Sequence, residues 1–442
     1  MQTYDKYKDS GVEWIGEVPE HWQIRRLKTD TFLKGRIGWN GLRSDEFKES
    51  SYAYLVTGQD FTGPNINWDK CYQIDKDRYD EDPFIQLQNG DILITKDGTI
   101  GKISKVSRMD KPACLNSGIF VMKQRSSHLY EQGYIYWLLT SNLLKEYNQY
   151  TSTGTTILHL YQNVFENMPL LIPTLLEQQA ISSYLDKKCA DIDKVIATQQ
   201  RRIELLQELK QSTITHAVTH GLNPNVKMKD SGVEWIGEVP EHWEVMKSSL
   251  MSSLIGSGTT PNTNNKDYYC ENEEEGYNWL QTGDLNNGLI ISTLKKVTLK
   301  AVKECNLKFY TTGSIVIAMY GATIGKVGIL GFNTAVNQAC CVLSKTDKIV
   351  SKFVFYLFLS AKESLLISAI GGGQPNISQD VIKKLKVVVP PLSEQQSIAT
   401  YLDKKCAELD ASISKAQREI DLLQEYKQAL ITEVVTGKRK VC

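Results

Sequence analysis

The residues with the types needed for chemistry are few and scattered. The turn Gly321-Ala322-Thr323-Ile324-Gly325-Lys326 invites a phosphate-loop reading, since glycine backbone N–H groups ahead of a lysine can cradle phosphate. It is one residue short of G-x-x-x-x-G-K, and Val327 stands where Ser or Thr would hold magnesium. Its counterpart at Gly98–Ile103 departs further. Both are therefore read as glycine pairs at strand–turn–strand corners, with a lysine within reach of a phosphate. Metal-dependent cleavage needs a second acid two residues before the lysine, and Asp91…Lys96 lacks it. Methyl transfer to a base amino group calls for an Asn/Asp-Pro-Pro-aromatic loop. Asn223-Pro224-Asn225 has neither the second proline nor the aromatic. Of the six histidines, His21 and His242 end a repeated Glu-His-Trp and read as packing or capping groups. No catalytic residue and no metal site is expected.

What remains suits recognition. Lys34, Arg36 and Arg43 flank a Gly/Trp/Asn loop, and Lys96, Lys102 and Lys326 sit on the glycine turns, placed to meet phosphates. Gln59 and Gln281 lie in loosely matching Thr-Gly contexts, Thr57-Gly58-Gln59-Asp60 and Thr282-Gly283-Asp284. Thr155 and Thr156 in one Gly-rich stretch match Gln374 and Asn376 in another. Gln and Asn can pair bidentately with adenine, and Thr can touch a thymine methyl.

These residues hang on a chain that repeats itself. Lys8–Trp22 and Lys229–Trp243 are the same fifteen letters at an offset of 221 residues, half of the 442-residue chain. Glu177-Gln178-Gln179 recurs as Glu394-Gln395-Gln396, and Tyr184–Ala190 as Tyr401–Ala407, both at an offset of 217. Between these blocks the halves agree only in outline: Thr99-Ile100-Gly101-Lys102 parallels Thr323–Lys326, and Asn116 parallels Asn337. Each half is a variable middle between near-identical ends. Identical ends imply the same contacts made twice, so Trp14, Trp22, Glu177, Gln178, Trp235, Trp243, Glu394 and Gln395 are candidate partner-docking residues. The tryptophan pairs also read as pins of a strap on each domain. Divergent middles on one scaffold imply two different ligand surfaces.

Two long helices must position the middles. Leu175–Val218 has no Gly or Pro and carries an apolar stripe that includes Leu185, Cys189, Ile192, Ile196, Ile203 and Leu206. Its counterpart carries Leu402, Cys406, Leu409, Ile413, Ile420 and Leu423. Proline precedes each helix, and Gly221 or Gly437 follows it. Such a rod is roughly 65 Å long. Two rods with matching stripes predict an antiparallel coiled coil, because symmetry between halves needs a twofold axis across the pair. Asp91–Thr95, Gly101–Val106, Ser314–Ala318 and Lys326–Leu330 read as strands, Leu129–Tyr147 and Ser351–Ile367 as helices. The expected fold is α+β, with two pseudo-twofold-related mixed domains. The expected boundaries are 1–173 and 221–389 for these domains, and 174–220 and 390–442 for the helices.

Composition bounds the function. Lys+Arg and Asp+Glu are 51 each, so the chain cannot coat nucleic acid through bulk charge, although a local basic groove is compatible. Apolar residues at 41% and charged residues at 23% are those of a globular protein. The longest apolar run, Phe353–Leu359, is too short to span a membrane. The start of the chain has no signal-like layout. Nine cysteines without a C-x-x-C pair fit a reducing, cytoplasmic setting.

The chain resembles the specificity subunits of type I restriction–modification systems. The features that carry the resemblance are the Lys8–Trp22 repeat, Gln374-Pro375-Asn376-Ile377-Ser378, and Pro390-Pro391-Leu392-Ser393-Glu394-Gln395-Gln396 opening a long helix. It covers nearly the whole chain. The resemblance implies two target-recognition domains, each reading one half of a bipartite double-stranded DNA site, with the paired helices setting the unread spacer. It also implies two methyltransferase subunits docked on the repeats, and restriction subunits joining that core. S-adenosylmethionine, ATP and magnesium would belong to those partners, and this chain would be non-catalytic. The first half departs from the pattern, with Gly154-Thr155-Thr156-Ile157-Leu158 in place of Gln-Pro-Asn-Ile. The competing reading is a coiled-coil adaptor that joins two identical proteins and reads no DNA.

Overall fold

The computed structural model describes residues 2–36, 42–126, 129–151, 160–270, 275–368 and 376–441. Its contacts divide it into two units, Met1–Gln200 with Arg418–Cys442, and Arg201–Gln417. Neither long helix stands apart as its own domain. Each unit takes about half of both, together with one of the two expected mixed domains. The reason is visible in the stripes, whose apolar residues bury against the domains as well as against each other.

In the first unit, Ile92–Thr95 is buried at every position, as a strand covered on both faces requires. It pairs antiparallel with Ile103–Lys105 on one side and Ile119–Gln124 on the other; Thr31–Gly35 completes the sheet. A second sheet sets Ala53–Val56 parallel to Ala113–Leu115 and antiparallel to Tyr72–Ile74. Their side chains, with Ile85, Leu87 and Val121, form one core. The second unit repeats this plan. Ile315–Ala318 lies between Val327–Leu330 and Cys340–Leu343, and Trp279-Leu280 runs parallel to Ala335-Val336. The four expected strands are all present, trimmed by one to three residues at their ends.

Each expected amphipathic helix is two. Gln132–Thr140 stops at Ser141, which is extended; its hydroxyl accepts from the N–H of Leu143 and so caps Asn142–Thr151. Ser351–Ser360 is followed after Ala361 by Lys362–Ile367. An apolar period alone does not register a one-residue break.

The long helices span Leu175–His220 and Leu392–Val435. Thr174 and Glu177 start the first as a reciprocal capping box, Glu177 N–H to Thr174 Oγ1 at 3.3 Å and Thr174 N–H to Glu177 Oε2 at 3.2 Å. Gly221 and Gly437 end the two helices with φ of +77° and +74°, a conformation that glycine adopts without cost. Space demands glycine there too: a Cβ on Gly221 would sit 3.1 Å from the Trp243 ring, and one on Gly437 2.4 Å from Pro19.

The helix pair meets in a reciprocal register. Within the first unit Lys427 binds Asp193 at 2.6 Å; within the second Lys210 binds Asp410 at 2.7 Å. Asp193 and Asp410 are equivalent in the repeat, as are Lys210 and Lys427, so one contact is made twice with the partners exchanged. As the index rises along one helix it falls along the other, which is the antiparallel order. Leu185, Cys189, Ile192, Ile196, Leu402, Cys406, Leu409 and Ile420 are buried. Ile203, Leu206, Ile413 and Leu423 are half-buried. Burial pushes the Cys189 thiol up to about 11, as suits a packed cysteine.

Exposed ion pairs contribute little stability, about 0–1 kcal/mol each. Their value here is register. A double-mutant cycle on Asp193→Lys and Lys427→Asp, read by urea unfolding, should give a coupling below about 1 kcal/mol, with the double exchange restoring what either single change loses.

Candidate functional site

In each unit, three turns and one incoming segment converge at the ends of the strands, held by the same backbone hydrogen bonds. Asn116 donates to Val56 O at 2.9 Å, and Asn337 to Leu280 O at 2.9 Å. Lys96 donates to Gly118 O at 2.9 Å, and Met319 to Ala339 O at 2.8 Å. Gly101 closes its turn onto Thr95 O, Gly325 onto Ala318 O, both at 2.9 Å. Leu160 and Ile377 enter by donating to Lys96 O and Met319 O. The turn after the parallel strand is closed by a carboxylate: Thr57 N–H reaches Asp60 Oδ2 at 2.7 Å, and Gln281 N–H reaches Asp284 Oδ2 at 2.7 Å. Burial raises the Asp60 carboxyl, while bonds from the Thr57 N–H and hydroxyl pull it the other way.

These bonds correct one sequence alignment. Asp60 matches Asp284, but Thr57 matches Gln281, one position off the Thr-Gly comparison. Leu160 matches Ile377, and the segment Gly154–Leu158 with Gln374 and Pro375 lies outside the described residues. Letters aligned by likeness slipped at variable positions where only the hydrogen-bond frame is kept.

The glycine-lysine turns are strand–turn–strand corners. Gly98, Gly101, Gly321 and Gly325 all have φ between +68° and +80°. Val327 opens a strand, not the helix that a phosphate loop needs. Asp91 and Lys96 are not brought together: Asp91 binds Lys123 at 2.5 Å, and Lys96 Nζ lies 5.1 Å from the Phe120 ring centre.

Gln59, Lys96, Lys102, Gln281 and Lys326 lie on the converging turns; Gln59 and Lys102 are exposed, and the other three are half-buried. Asn376 is exposed at the edge of the second site. Lys34 lies over the Phe84 ring and Arg43 beside Glu46, outside the ring of turns. Thr155, Thr156 and Gln374 fall outside the described residues. Arg36 is a correction. It is 3% exposed, and its Nε donates to Leu115 O at 2.9 Å, so the guanidinium holds the end of the parallel strand and offers nothing to a ligand. Sequence reasoning passed over Ser117, Tyr320 and Gln338, which stand on these turns beside matched residues. The signal was available: each occupies a position that differs between halves, next to one that does not.

The candidate docking residues divide. Trp22 and Trp243 are fully buried, and each indole N–H donates to a helix carboxylate, Glu177 Oε1 at 3.4 Å and Glu394 Oε2 at 3.0 Å. His21 and His242 bind the same carboxylates at 2.9 and 2.7 Å. Gln178 is buried, accepting from Glu131 N–H at 2.8 Å and donating to Pro173 O at 2.9 Å. Gln395 does the same with Val350 N–H and Pro390 O. Further along, Asp186 accepts from the Trp137 indole and Asp403 from the Tyr356 hydroxyl, both at 2.9 Å. Trp14 packs 6.0 Å from Tyr147, and Trp235 lies half-buried against the second core. The reading of Trp22, Gln178, Trp243 and Gln395 as outward docking groups is thus corrected. The repeat recurs because each copy fastens its own strap and domain to a long helix.

Equivalent residues that do face outward lie elsewhere on the helices. Leu205 and Leu209 are 49% and 50% exposed, and their repeat partners Leu422 and Tyr426 are 54% and 51% exposed. Among the described residues, no group of three or more His, Cys, Asp or Glu is placed to hold a metal ion, and no helix is long and apolar enough to cross a membrane.

Residues 40–207 and 240–420 match the family model described as the type I restriction modification DNA specificity domain. The MjaVIII specificity subunit of Methanocaldococcus jannaschii, a type I restriction enzyme component, is 27% identical over 459 aligned residues, spanning 100% of this chain and 98% of the relative. The EcoKI specificity subunit of Escherichia coli is 20% identical, over 96% of this chain and 90% of the relative. A chain from a structure of type I R-M system assembly and conformational transition superposes with a TM-score of 0.74 at 15% identity, covering 96% of this chain and 99% of its own. The HsdS subunit of Thermoanaerobacter tengcongensis gives a TM-score of 0.51 at 14% identity, over 96% and 98% of the two chains.

The strap carboxylate has a pH signature. Burial pushes Glu177 up, but bonds from His21 and Thr174 outweigh it and hold the group below its ordinary 4.5. A depressed carboxylate stabilises fully above the ordinary value, and that stability is lost as pH falls through the lower folded value. Glu177→Gln should cost about 1.5–3 kcal/mol at neutral pH. Urea unfolding across pH should show wild type and variant converging as the solution is acidified below 4.5.

Proposed function

The chain belongs to the type I restriction modification DNA specificity family, and from that membership we propose that it reads a bipartite double-stranded DNA site, one half with each unit. Residues 1–173 and 221–389 are the readers, and the long helices at 174–220 and 390–442 are the spacer between them. One observation carries the reading: the same hydrogen-bonded frame of turns is built twice, and the exposed residues on it differ. A shared frame supports a shared ligand class; different tips support different letters of that ligand. Lysines such as Lys102 and Lys326 at the glycine corners supply phosphate contacts that set register, and neighbouring polar side chains meet base edges.

Two identical methyltransferase subunits dock on the helices, and restriction subunits join them. The duplicated exposed pairs Leu205/Leu209 and Leu422/Tyr426 support this, since an apolar i, i+4 pair is a ridge for a partner helix and its recurrence gives one ridge for each of two equal partners. S-adenosylmethionine, ATP and magnesium enter with those partners, and the assembly works in the cytoplasm.

Exchanging residues 221–389 for the equivalent middle of another family member, then mapping adenine methylation in cells that supply the partners, should change one half of the methylated sequence and leave the other half and the spacer intact. An unchanged sequence would favour the adaptor. Because the net charge is zero, the isolated chain should bind DNA weakly and with steep salt dependence. Titration against labelled duplex should show much tighter, sequence-selective binding once methyltransferase subunits are added; equal affinity and selectivity without them would contradict the shared clamp.

A further inference from the structure

We propose that Gln338 is a base-reading residue of the second unit, that it reads an adenine, and that Ser117 occupies the same reading position in the first unit. The inference rests on the DNA-reading function and goes further by naming a position and a base. The equivalence comes from backbone geometry: Asn116 and Asn337 donate to Val56 O and Leu280 O, and Gly118 O and Ala339 O accept from Lys96 and Met319. One residue stands between these anchors in each unit, Ser117 in one and Gln338 in the other.

The anchors do not read. Asn116 Oδ1 accepts from Ser117 N–H at 2.7 Å, and Asn337 Oδ1 accepts from Ala339 N–H at 3.1 Å. Bidentate pairing with adenine needs an amide's oxygen and its NH2 together, one accepting from N6 and the other donating to N7. An asparagine whose oxygen closes its own turn is held by that bond and is less free to turn both amide groups to a base edge. Gln338 is exposed, and its backbone carbonyl lies 3.4 Å from the Tyr320 hydroxyl, so its turn is braced by the neighbouring glycine corner. It stands on the same frame as Lys326, whose ammonium suits a phosphate. Gln338 therefore combines an exposed bidentate amide with a fixed backbone. Serine carries a single hydroxyl that bonds either donors or acceptors, so the first unit discriminates less at the matching position.

The test uses the full chain assembled with its methyltransferase subunits. Gln338→Ser, Gln338→Ala and Ser117→Gln complexes are compared with wild type by mapping methylated adenines and by competition binding against duplexes with each base pair of the site changed in turn. The expected result for both Gln338 variants is that discrimination at one A·T pair of the second unit's half-site falls about tenfold or more, while the other half-site is read as before. Ser117→Gln should tighten discrimination at one pair in the first unit's half-site. If both Gln338 variants keep wild-type discrimination at every position, the proposal is overturned. A lost preference for a G·C pair instead of an A·T pair would also overturn the base assignment. Failure of the DNA-reading function looks different: exchange of the whole 221–389 middle would then leave the methylated sequence unchanged.

Discussion

In each unit one carboxylate at the first turn of a long helix ties together three parts of the fold. Glu177 and Glu394 each accept from a histidine and from a buried tryptophan at the end of the repeated strap. That arrangement joins the strap, the domain core and the helix at a single point, and the buried indole adds the large apolar area that a charged hydrogen bond alone lacks. Truncating such a tryptophan costs about 3–5 kcal/mol. The same tryptophans meet the helix ends, where Gly437 seats near Trp22 and Gly221 near Trp243. Each strap therefore grips the start of one long helix and the end of the other.

With the domain fastened in this way, variation is free to collect at the far turns. The closing bonds there come from backbone groups and from a few kept side chains, Asp60 and Asp284 for one turn, Asn116 and Asn337 for another. Residues between them contribute little to the frame, so their identity can change without loss of fold. A protein that must read many sequences with one architecture needs this separation, because specificity lies in the side chains presented and affinity in the phosphate contacts beneath them. The helix pair adds a reciprocal contact, Asp193 with Lys427 in one unit and Asp410 with Lys210 in the other, which matches the two helices in register at a small gain in stability.

Much of this was legible in the letters. The duplication, the long helices and the glycine–lysine corners each leave a local signal: an offset, a period without Gly or Pro, a positive-φ residue where a strand must reverse. What was not legible depends on partners distant in sequence. Arg36 looked like a surface cation in a basic loop, but its acceptor is 79 residues away. Gln178 reads as a partner-docking residue because its block recurs, but it binds a helix start 47 residues back. Repetition argued that a contact is made twice without saying whether the partner is another molecule or the chain itself, and Trp22, Gln178, Trp243 and Gln395 are buried within the chain. The outward ridge of Leu205, Leu209, Leu422 and Tyr426 was passed over because it lies off the main apolar stripe.

The proposed function divides the surface, with variable turns meeting DNA and the duplicated exposed helix pairs meeting protein. Photo-cross-linking in the assembled complex on its DNA tests it most directly, with a photoreactive amino acid placed in turn at Gln59, Gly283, Leu205 and Leu422. The account predicts adducts to DNA from the first two positions, each to a different half of the site, and adducts to methyltransferase subunits from the last two. DNA adducts from the helix positions, or protein adducts alone from the turns, would contradict it.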